Sequence, residues 1–237
     1  MKFRTRVVLQ LAALLLALGA SAFAANDAYL YIVHGIPGRD IADNLNPGLP
    51  VDILVNGKSC LVRGLTFGNT TGPFTLSAGT YEVQISLANT LAPCTNPAVI
   101  DSQVTLASGA SVSAVAAISG GQPTLLDFTD NFSPVAPGKA RFVFAQSADA
   151  PALQATLTQL FVKHPKSFIL TANPGEQDTA SVPAGTYLVQ VVAVGGTTVL
   201  ASEQVFVADQ SATFTYAAGE AANNSVGLIN RTIRDVF

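Results

Sequence analysis

The chain has 237 residues, of which 49% are hydrophobic and only 11% are charged, with 12 basic against 15 acidic residues. Nucleic acids and anionic membrane surfaces are bound by basic clusters, so a net charge of −3 argues against both as partners. The length is sufficient for one large domain or two ordinary ones.

The first 24 residues have the three parts of a secretory signal peptide. Lys2, Arg4 and Arg6 form a positive start, an apolar run follows at 7–20, and Ala-Phe-Ala at 22–24 matches a cleavage site. The run is shorter than the about 20 apolar residues of a membrane-spanning helix, which favours cleavage over an uncleaved anchor. We therefore predict an exported protein, periplasmic or extracellular, with no membrane span in a mature chain of net charge −6, from 9 basic and 15 acidic residues.

Strand patterns dominate the mature sequence in chain order. Residues 29–34 form an aromatic and β-branched run, and Val51–Val55 has the strand-like order Val-Asp-Ile-Leu-Val. Asn56-Gly57 follows, and this pair between two strand patterns predicts a hairpin because both turn positions need a positive φ. Further strands are predicted at 73–76, 80–85, 99–106, 110–118 and 123–128.

The best helix candidate is the segment 150–161. It follows Asp149 and has Pro151 at a first-turn position, although its threonines weaken the pattern. No stretch of the mature chain sustains a 3.6-residue period over the length of a helix, so the chain is predicted to be all-β.

The second half of the sequence repeats the first. LSAGTYEVQI at 76–85 matches VPAGTYLVQV at 182–191, and SQVTL at 102–106 matches EQVFV at 203–207. A repeat of about 105 residues is the size of a domain, and short strands with turns about every 8–12 residues are typical of a sandwich of about seven strands. We predict two tandem immunoglobulin-like antiparallel β-sandwich domains at 27–129 and 139–237, joined by a linker at 130–138.

The two cysteines, Cys60 and Cys94, both lie in the first half. Export brings them to an oxidising compartment, where pairing is the default. Neither has a histidine or clustered cations nearby in sequence, which argues against a reactive thiol. We therefore predict a disulfide between Cys60 and Cys94.

Seven short motifs can be read together: YIVH at 31–34, PVDILVNG at 50–57, GLTFG at 64–68, LSAGTY at 76–81, LLDFTD at 125–130, GKARFV at 138–143 and DAP at 149–151. In combination they resemble the bacterial domain-of-unknown-function 4397 family, over most of residues 28–215. The resemblance implies an exported or surface-exposed, β-rich and often tandem protein. It implies no catalytic residues, because the family has no established activity. The chain departs from the pattern at 153–172, where the PVDILVNG hairpin has no recognisable counterpart.

Metal sites have little support in the sequence. His34 and His164 are the only histidines, and neither lies near another histidine or a free cysteine, whereas zinc needs three or four grouped ligands. We interpret His34 as a packed or hydrogen-bonding residue at the end of a strand, and we predict no metal and no cofactor.

Two segments are rich in side-chain oxygens, the type of ligand that calcium binds. The first contains Asp40, Asp43, Asn44 and Asn46, but it lacks the D-x-D-x-D-G spacing, and the same residue types make ordinary turns. Asp127 and Asp130, before the linker, form a weaker second case. Calcium binding by the 40–46 loop stays an open alternative.

Catalytic signatures are not found in the sequence. No G-x-S-x-G or H-E-x-x-H motif occurs, and there is no Trp to stack on a sugar, although a carboxylate pair such as Asp40 and Asp52 could serve hydrolysis. Tyr81 and Tyr187, at equivalent places after the Ala-Gly turn, are interpreted as corner tyrosines rather than as ligand contacts. We predict that the chain is not an enzyme.

The sequence favours a non-catalytic binding or interaction module of the cell envelope or extracellular space. The predicted contact site is the long loop at 35–50 with the hairpin tip, represented by Arg39, Asp40, Asp43 and Asn56. The partner would be an unknown envelope or extracellular protein or glycan. The alternatives are a carboxylate-dependent glycan or small-molecule hydrolase, and a passive structural spacer.

Overall fold

The structure is a computed structural model that describes residues 27–234. The predicted signal peptide at 1–24 lies outside the described residues. The described range forms two tandem β-sandwiches, as predicted, and each consists of two four-stranded sheets.

The first sandwich contains eight strands and one short helical turn. In chain order they are β1 (Asp27–His34), α1 (Gly38–Ile41), β2 (Val51–Val55), β3 (Ser59–Leu65), β4 (Thr70–Ser77), β5 (Gly79–Leu87), β6 (Ala98–Leu106), β7 (Ser111–Ser119) and β8 (Gln122–Thr129). One sheet has the order β4-β1-β7-β8 and is called inner sheet 1; the other, β3-β2-β5-β6, is called outer sheet 1.

The second sandwich repeats this plan strand for strand. Its strands are β9 (Lys139–Gln146), β10 (Leu153–Gln159), β11 (Ser167–Ala172), β12 (Gln177–Pro183), β13 (Gly185–Ala193), β14 (Val199–Val207), β15 (Ala212–Ala218) and β16 (Gly227–Ile233). Inner sheet 2 has the order β12-β9-β15-β16, and outer sheet 2 has the order β11-β10-β13-β14. Each sandwich thus has eight strands rather than about seven, and each includes one parallel pair, β1 with β7 and β9 with β15.

The helix predicted at 150–161 is wrong, because most of this segment is strand β10. Its apolar residues recur with a period of two, so that Leu153, Ala155 and Leu157 are buried while the residues between them face outward. β10 pairs with β11 and β13 as β2 pairs with β3 and β5. The segment 153–172 therefore does form a hairpin equivalent to β2–β3. Its strands are joined by a longer connection at 160–166 in place of Asn-Gly.

Two local predictions are confirmed in the turns. Asn56 and Gly57 have φ values of 50° and 60° and join β2 to β3. The Tyr81 hydroxyl donates to the Ser77 carbonyl at 2.7 Å and the Tyr187 hydroxyl donates to the Pro183 carbonyl at 2.8 Å. Each tyrosine thus ties a strand to the turn before it, as corner tyrosines do.

Three apolar cores hold the described chain together. Each sandwich has a core between its own two sheets, and a third core lies between the inner sheets, with Val33, Val115 and Phe128 from the first sandwich and Phe214 and Tyr216 from the second. The order of layers is therefore outer 1, inner 1, inner 2, outer 2. Because the inner sheets are covered on both faces, β7 and β15 are buried along almost their whole length.

Candidate binding site between the two sandwiches

The loop at 35–50 is fastened at both ends by His34, the last residue of β1. The His34 Nε2 donates to the Leu49 carbonyl at 2.8 Å, and its Nδ1 accepts from the Ile36 N–H at 3.3 Å. Burial lowers the pKa of His34, and the hydrogen bond to Leu49 opposes this shift only in part. His34 is thus a neutral, packed hydrogen-bonding residue, as interpreted from the sequence.

Asp40, at the short turn α1, contacts the second sandwich. The Ser225 hydroxyl donates to its Oδ2 at 2.5 Å, and the Asn223 side-chain amide lies 3.4 Å from its Oδ1. Nearby, the Gly219 N–H donates to the Gly35 carbonyl at 3.2 Å. The loop at 35–50 therefore meets the 219–226 segment, and Asp40 takes part in holding the two sandwiches together.

A polar cleft lies along this junction. Its polar lining consists of Arg39, Asp40, Asp43, Asn223, Asn224 and Ser225. Three of the four predicted binding residues are therefore brought to one place, together with three residues from the other end of the sequence. The pattern at 223–225 contains ordinary turn residues, so nothing in the sequence distinguished them as neighbours of the 35–50 loop.

Asn56, the fourth predicted binding residue, does not line this cleft. Its side-chain Oδ1 accepts from the Glu82 N–H at 2.9 Å, and its own N–H donates to the Glu82 carbonyl at 2.9 Å. These bonds attach the β2–β3 turn to β5, so the contacts of Asn56 are those of a turn-forming residue.

Close backbone contact at the same junction explains one glycine. A Cβ at Gly35 would lie 2.8 Å from the Ala116 carbonyl oxygen and 3.1 Å from the Ala218 Cβ in the second sandwich. On this side of the molecule the Gly121 N–H also donates to Asp149 Oδ2, at 2.8 Å. Both sandwiches therefore contribute backbone and side chains to the junction.

A buried ion pair lies within the third core. Arg231 Nη2 and Asp130 Oδ1 are 2.8 Å apart, and both side chains are almost fully buried. The Ser113 hydroxyl donates to Asp130 at 2.8 Å and accepts from Arg231 and from the Tyr216 hydroxyl, both at 2.8 Å. Burial, the largest influence, raises the pKa of Tyr216 to about 12, so its hydroxyl remains protonated at neutral pH.

The guanidinium of Arg231 also lies between two aromatic rings, 3.7 Å from the Tyr31 centroid and 4.5 Å from the Phe214 centroid. Its Nε and Nη1 have no hydrogen-bond partner among residues 27–234. Asp130, considered from sequence as part of an oxygen-rich loop, is instead the buried counter-ion of Arg231. The only sign of Arg231 in the sequence is that it is a cation inside a strand pattern, which did not distinguish it as a functional residue.

Asp52 of the PVDILVNG motif is buried, and both of its carboxylate oxygens accept hydrogen bonds. Its Oδ1 accepts from the Gly64 N–H at 2.9 Å, and its Oδ2 accepts from the N–H groups of Asn89 at 3.0 Å and Cys94 at 2.9 Å. Burial raises the pKa of Asp52, but the three backbone donors and the nearby charge of Arg63 outweigh burial and leave the pKa below its ordinary value. Asp52 is thus a structural carboxylate with both oxygens bonded to backbone N–H groups, which argues against the hydrolytic pair that was considered with Asp40.

The predicted disulfide is confirmed: Cys60 of β3 is bonded to Cys94, with Cα atoms 5.8 Å apart. In the part of the chain that the structure describes, no group of three or more His, Cys, Asp or Glu side chains is placed to hold a metal ion. No helix within residues 27–234 is both long and apolar enough to cross a membrane.

Comparison with solved structures gives weak similarities. The Bacillus anthracis TIE protein is 10% identical with a TM-score of 0.25, and the match covers 86% of this chain but only 34% of that protein, so the chain spans about a third of its length. A proposed cell adhesion protein from Bacteroides uniformis is 10% identical with a TM-score of 0.29, covering 88% of this chain and 99% of that one. Another from Bacteroides ovatus is 9% identical with a TM-score of 0.26, covering 88% and 96%. Similarities of this size carry no argument about function.

Comparison with curated protein sequences finds no match. Comparison with protein families matches residues 28–156, more than half of the chain, to the family described as "Domain of unknown function (DUF4397)". The matched range includes the whole first sandwich from Ala28 onward, the 130–138 segment, β9 and the first part of β10. The chain therefore belongs to the DUF4397 family.

Proposed function

We propose that this protein is an exported, non-catalytic binding module of the cell envelope or extracellular space, and that it binds its partner in the polar cleft between the two sandwiches. The observation that carries the proposal is that both sandwiches line one polar cleft beside a loop that is clamped at both ends. Loops held by a rigid scaffold are common sites of recognition.

The chemistry of the cleft suits a polar partner. Arg39 and Asp43 are exposed and have no hydrogen-bond or ion-pair partner among the described residues, so their donors and acceptors face solvent. Asn223 and Asn224 add side-chain amides, which both donate and accept. A glycan or the polar surface of an envelope protein could satisfy such a mixed set of groups.

Asp40 has a different part from Arg39 and Asp43 in this proposal. Since Ser225 and Asn223 bond its carboxylate, replacing Asp40 would loosen the junction as well as change the cleft. A clean test of binding therefore changes Arg39 and Asp43 and leaves Asp40 in place.

The test is co-sedimentation of purified residues 25–237 with isolated cell-wall and outer-membrane fractions, at low and at moderate salt. We expect saturable pelleting of the unchanged protein and at least about tenfold weaker pelleting of Arg39→Ala/Asp43→Ala, equivalent to about 1.4 kcal/mol. The melting temperature should be unaffected, because both side chains are exposed. Protease treatment of the fraction then separates a protein partner from a glycan.

The matched control is Asp127→Ala/Lys163→Ala, which also removes one exposed acid and one exposed base and leaves the net charge unchanged. It should pellet like the unchanged protein. Equal pelleting of the Arg39→Ala/Asp43→Ala variant would contradict the assigned cleft, and no pelleting with any fraction would contradict the proposed function.

A further inference from the structure

The loop at 35–50 has an apolar side and a polar side. Its apolar side lines a cavity between inner sheet 1 and outer sheet 1 at one end of the first sandwich, through Ile36, Ile41, Leu45 and Leu49. Its charged side chains, Arg39, Asp40 and Asp43, line the polar cleft, and Ile41 lines both spaces. A movement of the loop away from the cavity would therefore also move one wall of the cleft.

His34 lies in the wall of this cavity and bonds the loop near both of its ends. Its Nε2 donates to the Leu49 carbonyl, and its Nδ1 accepts from the Ile36 N–H. A protonated imidazole carries a hydrogen on both nitrogens and cannot accept a hydrogen bond. Protonation of His34 therefore has to break the bond to Ile36, which is one of the bonds that fix the start of the loop.

Within residues 27–234, no charged side chain lines this cavity. The other elements contribute apolar residues and the hydroxyl of Ser86: Val51 from β2, Ile85 and Leu87 from β5, Val99 and Ile100 from β6, Ala116 from β7 and Pro123 from β8. The ring of Phe67 lies edge-on, with its centroid 6.5 Å from that of His34. A positive charge on His34 therefore has little beside the Leu49 carbonyl to stabilise it.

The titratable groups of the surrounding elements are occupied elsewhere. The strands that flank β1, β4 and β7, contain no charged residue, and Tyr31 of β1 lies against Arg231 in the third core. The acids of outer sheet 1 bond other groups: Asp52, Glu82 and Asp101. The pKa of Asp127 on β8 is shifted by burial alone. The pKa of His34 accordingly responds to burial, which lowers it, and to the bond with Leu49.

The start of the loop is also the point at which it meets the second sandwich. The Gly219 N–H donates to the Gly35 carbonyl at 3.2 Å, and the Asp40 carboxylate accepts from the Ser225 hydroxyl. Gly35 and Asp40 lie on either side of Ile36 in the chain. A displacement of Ile36 therefore acts on both contacts between the loop and the second sandwich.

We propose that His34 is an acid-sensitive switch of the cleft: its protonation frees the start of the loop at 35–50, withdraws Arg39 and Asp43 from the cleft and releases the bound partner. This inference rests on the proposed binding function, because it assigns a regulation to the same site. The neutral ring closes the loop and the charged ring opens it. A partner that binds the closed loop must in turn lower the pKa of His34 further, because the coupling between two sites is reciprocal.

The first test follows the His34 ring by nuclear magnetic resonance in residues 25–237, between about pH 7.5 and about pH 4.5. The chain has two histidines, so His164→Gln leaves His34 as the single imidazole signal. We expect the amide signals of Ile36 and of Gly219, in the other sandwich, to shift with the same midpoint as the ring, below the ordinary pKa of 6.5. A ring that stays neutral throughout, or a Gly219 amide that does not follow it, would overturn the proposal.

The second test repeats the co-sedimentation with cell-wall and outer-membrane fractions at both ends of this pH range. The unchanged protein should bind at least about tenfold more weakly at the acidic end. His34→Gln, which cannot take up a proton, should bind equally at both, and His164→Gln, the matched control, should keep the pH dependence.

The outcomes separate the switch from the binding function. Equal binding of the unchanged protein at both pH values, with its His34 ring shown to be protonated at the acidic end, would overturn the switch and leave the proposed function intact. Absence of binding at the neutral end would contradict the proposed function, and release of a partner with it. The Gly219 amide would then still decide whether His34 controls the junction.

Discussion

Asp52 is the residue on which most of the local structure at the end of outer sheet 1 depends. It lies in β2, yet its carboxylate bonds β3 through Gly64 and the 88–97 loop through Asn89 and Cys94. The PVDILVNG motif identified this position in the sequence, but the motif alone could not show that the acid is structural. Its partners are backbone N–H groups, which leave no mark in the side-chain sequence.

Replacing Asp52 with Asn should destabilise the first sandwich by on the order of 2–3 kcal/mol, because a charged acceptor of three partly buried N–H groups is lost. The pKa of Asp52 is lowered by folding, so its contribution to the free energy of unfolding is complete above its ordinary value of 3.8. That contribution falls as the pH drops from 3.8 towards the lower pKa of the folded state. Urea denaturation at neutral and acidic pH measures both effects.

Asp43→Asn is the matched control for Asp52→Asn, because Asp43 is exposed and has no partner among the described residues. It should leave the unfolding free energy nearly unchanged. If Asp52→Asn were as stable as Asp43→Asn, the three hydrogen bonds would not have the structural weight assigned to them.

Among the elements, the loop at 35–50 depends on one titratable group. Both nitrogens of His34 are used by the loop, one as donor to Leu49 and one as acceptor from Ile36, and only a neutral imidazole can do both. The pKa of His34 is lowered below its ordinary value of 6.5 by burial. Below pH 6.5, His34 therefore binds a proton in the unfolded chain more readily than in the folded chain.

The contribution of His34 to the unfolding free energy should accordingly fall when the pH is lowered from about 7.5 to about 5.5. Asp127, whose pKa burial raises to about 6, contributes with the opposite sign in the same range. His34→Gln, which can still donate to Leu49, should be less stable at pH 7.5 by about 1–2 kcal/mol. It should lose the destabilisation on acidification that His34 causes and keep the opposite contribution of Asp127. Amide hydrogen exchange at Ile36 and in the 35–50 loop would locate the effect. His164→Gln, the control in an exposed loop, should retain the pH dependence; its loss there would contradict the assignment to His34.

The strands show why part of the fold could be predicted and part could not. The Asn56-Gly57 hairpin and the repeated AGTY turns depend on local backbone geometry, which is encoded in adjacent residues. The helix predicted at 150–161 depended on Asp149 and Pro151 as start signals, but Asp149 accepts a hydrogen bond from Gly121 of the other sandwich instead. Asp149, which bonds the other sandwich, thus had the same sequence pattern as a residue that starts a helix.

The whole molecule is joined by a core that the sequence did not reveal. The serines and alanines of β7 and the threonines and alanines of β15 are typical of a β-rich chain, and nothing in their order shows that a second sheet covers the outer face of these strands. The same holds for the cleft, because Asp40 and Ser225 are far apart in the sequence. The sequence predicted the contents of each sandwich better than the contact between the two.

The ion pair between Asp130 and Arg231 should control how firmly the sandwiches associate. Arg231→Met should lower the unfolding free energy by about 3 kcal/mol, because it leaves the Asp130 charge buried without its partner. Asp130→Asn should be costly for the converse reason, whereas the double variant should lose less than the sum of the two single losses. Equilibrium denaturation of all four proteins measures this coupling, and strictly additive losses would contradict it.

The strands that face each other across the junction are equivalent in the two halves, since β4-β1-β7-β8 corresponds to β12-β9-β15-β16. Equivalent faces also meet in a symmetric dimer, but here a segment of nine residues, 130–138, joins the two halves. A short tether of this kind keeps its two ends at an effective concentration on the order of millimolar. The junction, and the cleft formed on it, should therefore survive any dilution of the protein.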